Sequence, residues 1–131
     1  MSQVPNSPLE VTQKAWGYEE LIVNNAQYCG KFLVIAPRQR CSLHLHPIKR
    51  ETFIPIFGEV MIERQLESGA PSVIQKIHSG DKIAITIEPG TPHRFWSANP
   101  NQPAVLIEIS TPHDDNDVVR LEESGPLPFG E

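Results

Sequence analysis

Two histidines, His44 and His46, stand two residues apart, and Glu51 follows five residues after the second. On a strand, residues two apart point to one face, so both imidazoles would share a side. Two neutral imidazoles and one carboxylate suit a divalent metal of intermediate hardness. A third histidine, His93, comes after the rigid turn Pro89-Gly90-Thr91-Pro92. Three further residues carry chemistry by type and place. Glu108 lies inside the apolar run Val105-Leu106-Ile107-Glu108-Ile109, where a carboxylate is rarely buried unless it is paired or functional. Facing a cavity, its pKa would rise by desolvation or fall beside a metal, and it could act as a base. Lys49 sits between His46 and Glu51, where it reads equally well as a solvated turn lysine. Arg94 follows His93 and would point to the opposite face of a strand; it is taken here as a substrate contact. A His-x-His pair alone is more often two ordinary surface or core residues than a ligand pair, so the weight rests on the combination.

These side chains need elements to position them, and the pattern is one of strands. The chain has 131 residues, of which 13 are Pro and 8 are Gly, and these break it into short segments. Residues 15–23 become β-prone before Asn24-Asn25, a turn signal. Lys31 to Ala36 is a compact apolar strand stopped by Pro37. Cys41 to His46 alternates Cys/Leu/Leu with Ser/His/His, a period-two strand with its polar face toward the site. Glu51 to Phe57 is a strand at an edge or bulged at Pro55, because proline cannot donate to a ladder. Gly58 then offers a tight turn into Glu59 to Gln65, a hairpin partner. Val73 to Ile77, Ile83 to Ile87, Pro92 to Ala98 and Ala104 to Ser110 complete about nine strands, and Val118 to Leu121 could add an edge strand. No helical period exceeds two turns. This is the pattern of a single all-β sandwich or barrel. Asp114-Asp115-Asn116-Asp117 reads as a solvated loop, with His113 exposed beside it.

Composition excludes several function classes. A net charge of −5 argues against nucleic-acid binding, which needs a basic surface. No apolar run is long enough for a membrane helix, and the start lacks a basic-then-apolar signal pattern, so the expected location is cytoplasmic. Cys29 and Cys41 form no Cys-x-x-Cys pair, and they read as buried small apolar residues.

The spacing His44-x-His46, Glu51, Gly58 and the distal Pro89-Gly90-x-x-His93 resembles the cupin superfamily. Its first motif runs roughly Gly-x5-His-x-His-x3-4-Glu-x6-Gly, and its second Gly-x5-Pro-x-Gly-x2-His-x3-Asn. Arg38 stands where the first motif has its leading Gly. In the second motif Pro89 adjoins Gly90 instead of standing two before it. Asn99 comes late, after Ala98. These departures touch turns, not ligands. The resemblance implies a β-barrel of the double-stranded β-helix or jelly-roll type, with His44, His46, Glu51 and His93 as ligands of one divalent transition metal (Zn, Mn, Fe or Ni). It divides the chain into an N-terminal arm over 1–14, a cupin domain over 15–121 and a C-terminal tail over 122–131.

A longer stretch, about residues 15–121, with Ala15-Trp16-Gly17-Tyr18-Glu19-Glu20, Gly30-Lys31, Cys41-Ser42-Leu43-His44-Leu45-His46, Gly90-Thr91-Pro92-His93-Arg94, Leu106-Ile107-Glu108-Ile109 and Asp117-Val118-Val119-Arg120, is similar to the C-terminal cupin domain of type II mannose-6-phosphate isomerases. The His44-x-His46-x-x-Lys49-x-Glu51 run is similar to D-lyxose isomerases. Both imply aldose–ketose isomerisation of a sugar or sugar phosphate through an enediol. The metal would be a Lewis acid, Glu108 the base, and Lys49 the stabiliser of developing charge. Lys49, Arg50 and Arg94 could hold one phosphate. A homodimer is the family expectation. Two other classes fit the same residues: an iron-dependent dioxygenase and a non-catalytic sugar-binding cupin.

Overall fold

The computed structural model describes residues 8–128. Its strands are Glu10–Lys14 (β1), Gly17–Asn24 (β2), Cys29–Ile35 (β3), Gln39–Arg40 (β4), Leu43–Leu45 (β5), Glu51–Phe57 (β6), Glu59–Arg64 (β7), Val73–His78 (β8), Ile85–Ile87 (β9), His93–Ser97 (β10), Ala104–Ser110 (β11), Val119–Glu122 (β12) and Gly125–Pro126 (β13). All pairings are antiparallel. One sheet has the order β1-β2-β3-β11-β6-β9. In the other, β10 is flanked by β7 and β8 on one side and by β4 and β5 on the other, with β12 and β13 outside them. The two inner faces enclose a core of Trp16, Leu33, Ile35, Phe53, Ile62, Ile77, Phe95 and Leu106, among others.

The middle strands explain the architecture. β3, β6 and β11 alternate buried with half-buried or exposed residues, so one face of each looks into the barrel. Pro55 meets both expectations for it. The ladder from β6 to β11 shifts register between Val105 and Leu106, opposite Phe57 and Pro55. β9 covers only Glu51 to Phe53 on the other side, so Pro55 has no ladder neighbour there. Cys29 and Cys41 are buried free thiols.

Three sequence expectations are corrected. β6 and β7 do not form a hairpin: at Gly58, with φ 77°, the chain crosses from one sheet to the other. A side chain there would meet the Pro103 carbonyl at 2.9 Å, so the crossing needs glycine. The segment assigned to an N-terminal arm contains β1, which pairs with β2 from Glu10 to Lys14; residues 1–7 of that arm lie outside the described residues. The tail contains β13 and the buried Leu127. Arg38 adopts φ 65°, the left-handed conformation that the glycine of the motif would take more easily. Its guanidinium Nε donates to the Pro100 carbonyl at 3.1 Å, which ties the turn down.

Candidate metal centre and active site

His44 and His46 come from β5 and the turn after it, Glu51 opens β6 and His93 opens β10. The sheets bring them together: His93 is the register partner of His44. The turn before His93 is anchored to the first motif, since the Gly90 amide donates to the His46 carbonyl at 2.8 Å. One nitrogen from each of the three histidines lies within 4.8 Å of the others. Glu51 bridges two of them, with Oε1 3.0 Å from His46 Nε2 and Oε2 3.1 Å from His93 Nε2.

The tautomers follow from the partners. His44 Nδ1 lies 2.8 Å from the Ser42 carbonyl, His46 Nδ1 2.6 Å from the Asp117 carbonyl, and His93 Nδ1 2.9 Å from the Thr91 carbonyl. A carbonyl only accepts, so each Nδ1 carries the proton and each Nε2 presents a lone pair. This backbone support is how metal-binding imidazoles are oriented. Burial pushes the His44 imidazole down to about 3, with help from neighbouring His93, so it is neutral near pH 7. His93 Nε2 and Glu51 Oε2 are buried without a hydrogen-bond partner among the described residues. Orphaned buried acceptors cost free energy unless something fills them. The spacings near 3 Å match adjacent ligand atoms around one ion with bonds of about 2.1 Å. The donor set therefore fits one divalent transition metal.

A lysine and a second carboxylate adjoin the cluster. Lys49 is 3% exposed, and its Nζ lies 2.9 Å from Glu51 Oε1 and 3.3 Å from Glu108 Oε2. Burial alone would lower the Lys49 ammonium, but Glu108 and Glu51 outweigh it and hold the group above its usual value. Burial alone would raise the Glu51 carboxyl, and the Lys49 ammonium beside it pulls the other way. One buried ammonium thus faces two carboxylates, a surplus of negative charge that favours a bound cation. Glu108 does face the interior, where Ser110 Oγ donates to its Oε2 at 3.1 Å. A cavity of about 150 Å³ opens above these groups.

Arg94 is not brought to the site. It lies on the opposite face of β10, 6% exposed, with Nε 3.0 Å from Glu63 Oε1 and Nη1 2.9 Å from Glu122 Oε1. Strand parity, which points its neighbour His93 inward, points Arg94 away. Arg50 is more than half exposed and paired with Glu88 at 2.7 Å. The three cations considered for phosphate are therefore scattered.

The roles of four residues escaped the sequence reading. Asp117 is buried, not solvated: its carboxylate accepts the Ile48 and Lys49 amides at 2.9 Å each, while its carbonyl holds His46. His113 is no bystander, since its Nδ1 lies 3.1 Å from Lys49 Nζ and its Nε2 donates to Asp115 at 2.8 Å. Lys31 and Glu19 line the cavity as an ion pair of 3.3 Å. The alternation of β3 signalled that Lys31 points inward with Cys29 and Leu33, a signal the apolar character of the run concealed. Asp117 entered the sequence reading only in the run Asp117-Val118-Val119-Arg120 and in the loop read as solvated, neither of which marked its buried role.

No family model matches the chain. The chain is similar to the D-lyxose ketol-isomerase of Cohnella laeviribosi, 31% identical over 73% of this chain and 63% of that protein. It is likewise similar to the D-lyxose/D-mannose isomerase of Thermosediminibacter oceani, 31% identical over 71% of this chain and 61% of that protein. A shorter match, 46% identical, covers 36% of this chain and 30% of a D-lyxose ketol-isomerase from a Thermofilum species. The chain thus spans from 30% to 63% of the length of these curated relatives. Among solved structures, the capsular polysaccharide assembling protein CapF of Staphylococcus aureus superposes with a TM-score of 0.80 at 17% identity, over 89% of this chain and 32% of CapF. Oxalate decarboxylase of Bacillus subtilis superposes with a TM-score of 0.74 at 17% identity, over 92% of this chain and 34% of that one. The fold is that of an all-β cupin, with a three-histidine cluster inside it. Within that class the chain resembles the D-lyxose type of sugar isomerase. No helix among the described residues is long and apolar enough to cross a membrane.

Proposed function

We propose that this chain is a metal-dependent aldose–ketose isomerase domain acting on a small sugar, with D-lyxose and D-mannose the first candidates from its relatives. One observation carries the reading: Lys49 Nζ bridges a carboxylate of the metal-type cluster, Glu51, and a second carboxylate, Glu108, that has no place in that cluster. A binding centre needs only the first; the second would be available to move a proton. His44, His46, Glu51 and His93 would hold the metal, which as a Lewis acid would acidify the hydrogen beside a sugar carbonyl. Glu108 would take the proton from one carbon and return it to the next, through the enediol. Lys49, held charged in the resting site by Glu108 and Glu51, would steady negative charge developing on the sugar oxygens. Cavity size supports a small substrate, since about 150 Å³ is well below the roughly 300–1,000 Å³ of drug-sized pockets. A homodimer belongs to the proposal. Phe32, Val34, Ile54, Val105 and Ile107, half-buried, and Ile109, exposed, lie on the outer face of the first sheet, and light scattering should give twice the 14.7 kDa chain mass.

NMR in D2O tests the activity. Metal-reconstituted protein is incubated with D-lyxose, D-mannose, other aldoses and ketoses, and their phosphates. Isomer formation with deuterium at C1 or C2 is expected. No exchange across the panel with metal bound would overturn the isomerase reading. Iron-dependent oxygen uptake would replace it with a dioxygenase.

A further inference from the structure

We propose that Lys31 and Glu19 form a second recognition position in the cavity, one that grips two neighbouring hydroxyls of an open-chain polyol at the end remote from the histidine cluster. The inference rests on reading the cavity as a sugar site, but not on turnover.

The placement comes from the sheet register. Glu51 on β6 stands opposite Ser110 on β11, and Glu108 on β11 stands opposite Lys31 on β3. Glu19 lies on β2, which pairs with β3. Four adjacent strands thus carry, in order, Glu51 of the metal-type cluster, the carboxylate proposed as base, a lysine and another carboxylate. With strands about 4.8 Å apart, β6 and β3 are separated by roughly 10 Å at the backbone, and their side chains converge from there. An open-chain sugar anchored at the cluster would run along this wall toward β3.

A purely structural account of Lys31 is poor. It is 5% exposed, inside an apolar strand and between inward-facing Cys29 and Leu33. Burying an ammonium for a single ion pair generally returns less than an apolar residue of similar volume would. The β2–β3 ladder, paired from Gly17 to Asn24, needs no such rivet. Lys31 also has donors to spare. An ammonium offers three, and among the described residues Nζ makes one hydrogen bond, to Glu19 Oε1 at 3.3 Å. Glu19 is the more exposed partner, with its side chain 20% accessible, so the pair faces the cavity opening. A donor beside an acceptor matches a vicinal diol: Lys31 donates to one hydroxyl oxygen and Glu19 accepts the hydrogen of the next. A phosphate would suit Lys31 but be repelled by Glu19, so the pair selects a neutral polyol.

The test uses arabinitol, a five-carbon polyol with no carbonyl to isomerise, titrated calorimetrically into metal-reconstituted protein. Wild type should bind it. Lys31→Met and Glu19→Gln should each weaken binding about tenfold or more, as expected for a lost charge-assisted hydrogen bond, with metal content unchanged. If Lys31→Met loses its metal, the isosteric Glu19→Gln decides. Undiminished binding in Glu19→Gln, or no binding by wild type, would overturn the inference even if sugars are turned over. Displacement of arabinitol by equimolar inorganic phosphate would overturn it too, by making this an anion site. Binding lost in both variants without any turnover in wild type would uphold the subsite and sink only the isomerase reading.

Discussion

Two clusters in this barrel are made of the same parts. Each has one buried cation between two carboxylates: Lys49 between Glu51 and Glu108, and Arg94 between Glu63 and Glu122. They differ in where they lie: Glu51 and Glu108 belong to the first sheet, and Arg94, Glu63 and Glu122 to the second. The Lys49 cluster lies inside the barrel, against three histidines with free Nε2 lone pairs, and borders a cavity. The Arg94 cluster lies outside and ties β10 to β7 and β12, and none of its three residues lines that cavity. Lysine and arginine suit these two settings. The guanidinium forks to two carboxylates at once, as a strand clasp must, whereas the ammonium is a compact charge that can also serve a ligand. Buried ion pairs are therefore not evidence of chemistry by themselves; unspent donors and orphaned acceptors nearby are.

The comparison breaks most sharply at the metal. His46→Ala removes one donor of the cluster and should abolish stoichiometric metal in elemental analysis, while Glu63→Ala in the other cluster should leave it intact. Retained metal in His46→Ala would end the ligand assignment. Next comes the base. Glu108→Gln should keep its metal yet lose deuterium incorporation by about 10²–10⁴-fold. Full exchange in that variant would remove Glu108 from the mechanism.

The outer cluster should answer in stability instead. Arg94→Met leaves Glu63 without its charged partner, with Ser72 Oγ still donating to it, and should cost roughly 2–4 kcal/mol in urea unfolding, less than a fully buried pair because Glu122 is half exposed. Its pH dependence has a definite sign. Burial would raise the Glu63 carboxyl, but Ser72 and Arg94 outweigh it and hold the group below its usual 4.5. A depressed carboxylate contributes stability that is fully present above 4.5 and lost as pH falls through the lower folded value. The gap between wild type and Arg94→Met should therefore be widest above pH 4.5 and narrow below it; a gap that grows with acid would contradict the ion pair. Smallest of all, Arg50→Ala breaks a pair whose side chains are 57% and 59% exposed, and it should change stability by less than about 0.5 kcal/mol.

Much of the three-histidine cluster was legible because its signals are local. His44-x-His46, Glu51 and the Pro89-Gly90 turn each specify a strand parity or a turn within a few residues. Glu108 was legible as an anomaly, a charge where apolar residues belong. Parity also said that Arg94 opposes His93, and the structure makes that geometry decisive. Asp117 was hidden because its acidic neighbours looked solvated, and its role depends on amides 68 and 69 residues away. The β6–β7 hairpin failed for a related reason: a glycine turn between two strands looks the same whether the strands pair or part company.

By itself the sequence determined the all-β class, the alternation of each strand and the types and local spacing of the clustered histidines and Glu51, because backbone pleat and turn preference act over a few residues. Only the tertiary structure decided which faces meet. It set Lys49 against Glu108 across 59 residues, put the Asp117 carbonyl under His46 across 71, and turned Lys31 and Glu19 toward one cavity. Those contacts depend on the pairing of strands far apart in the chain, and on which sheet each strand joins, which no single strand's pattern contains.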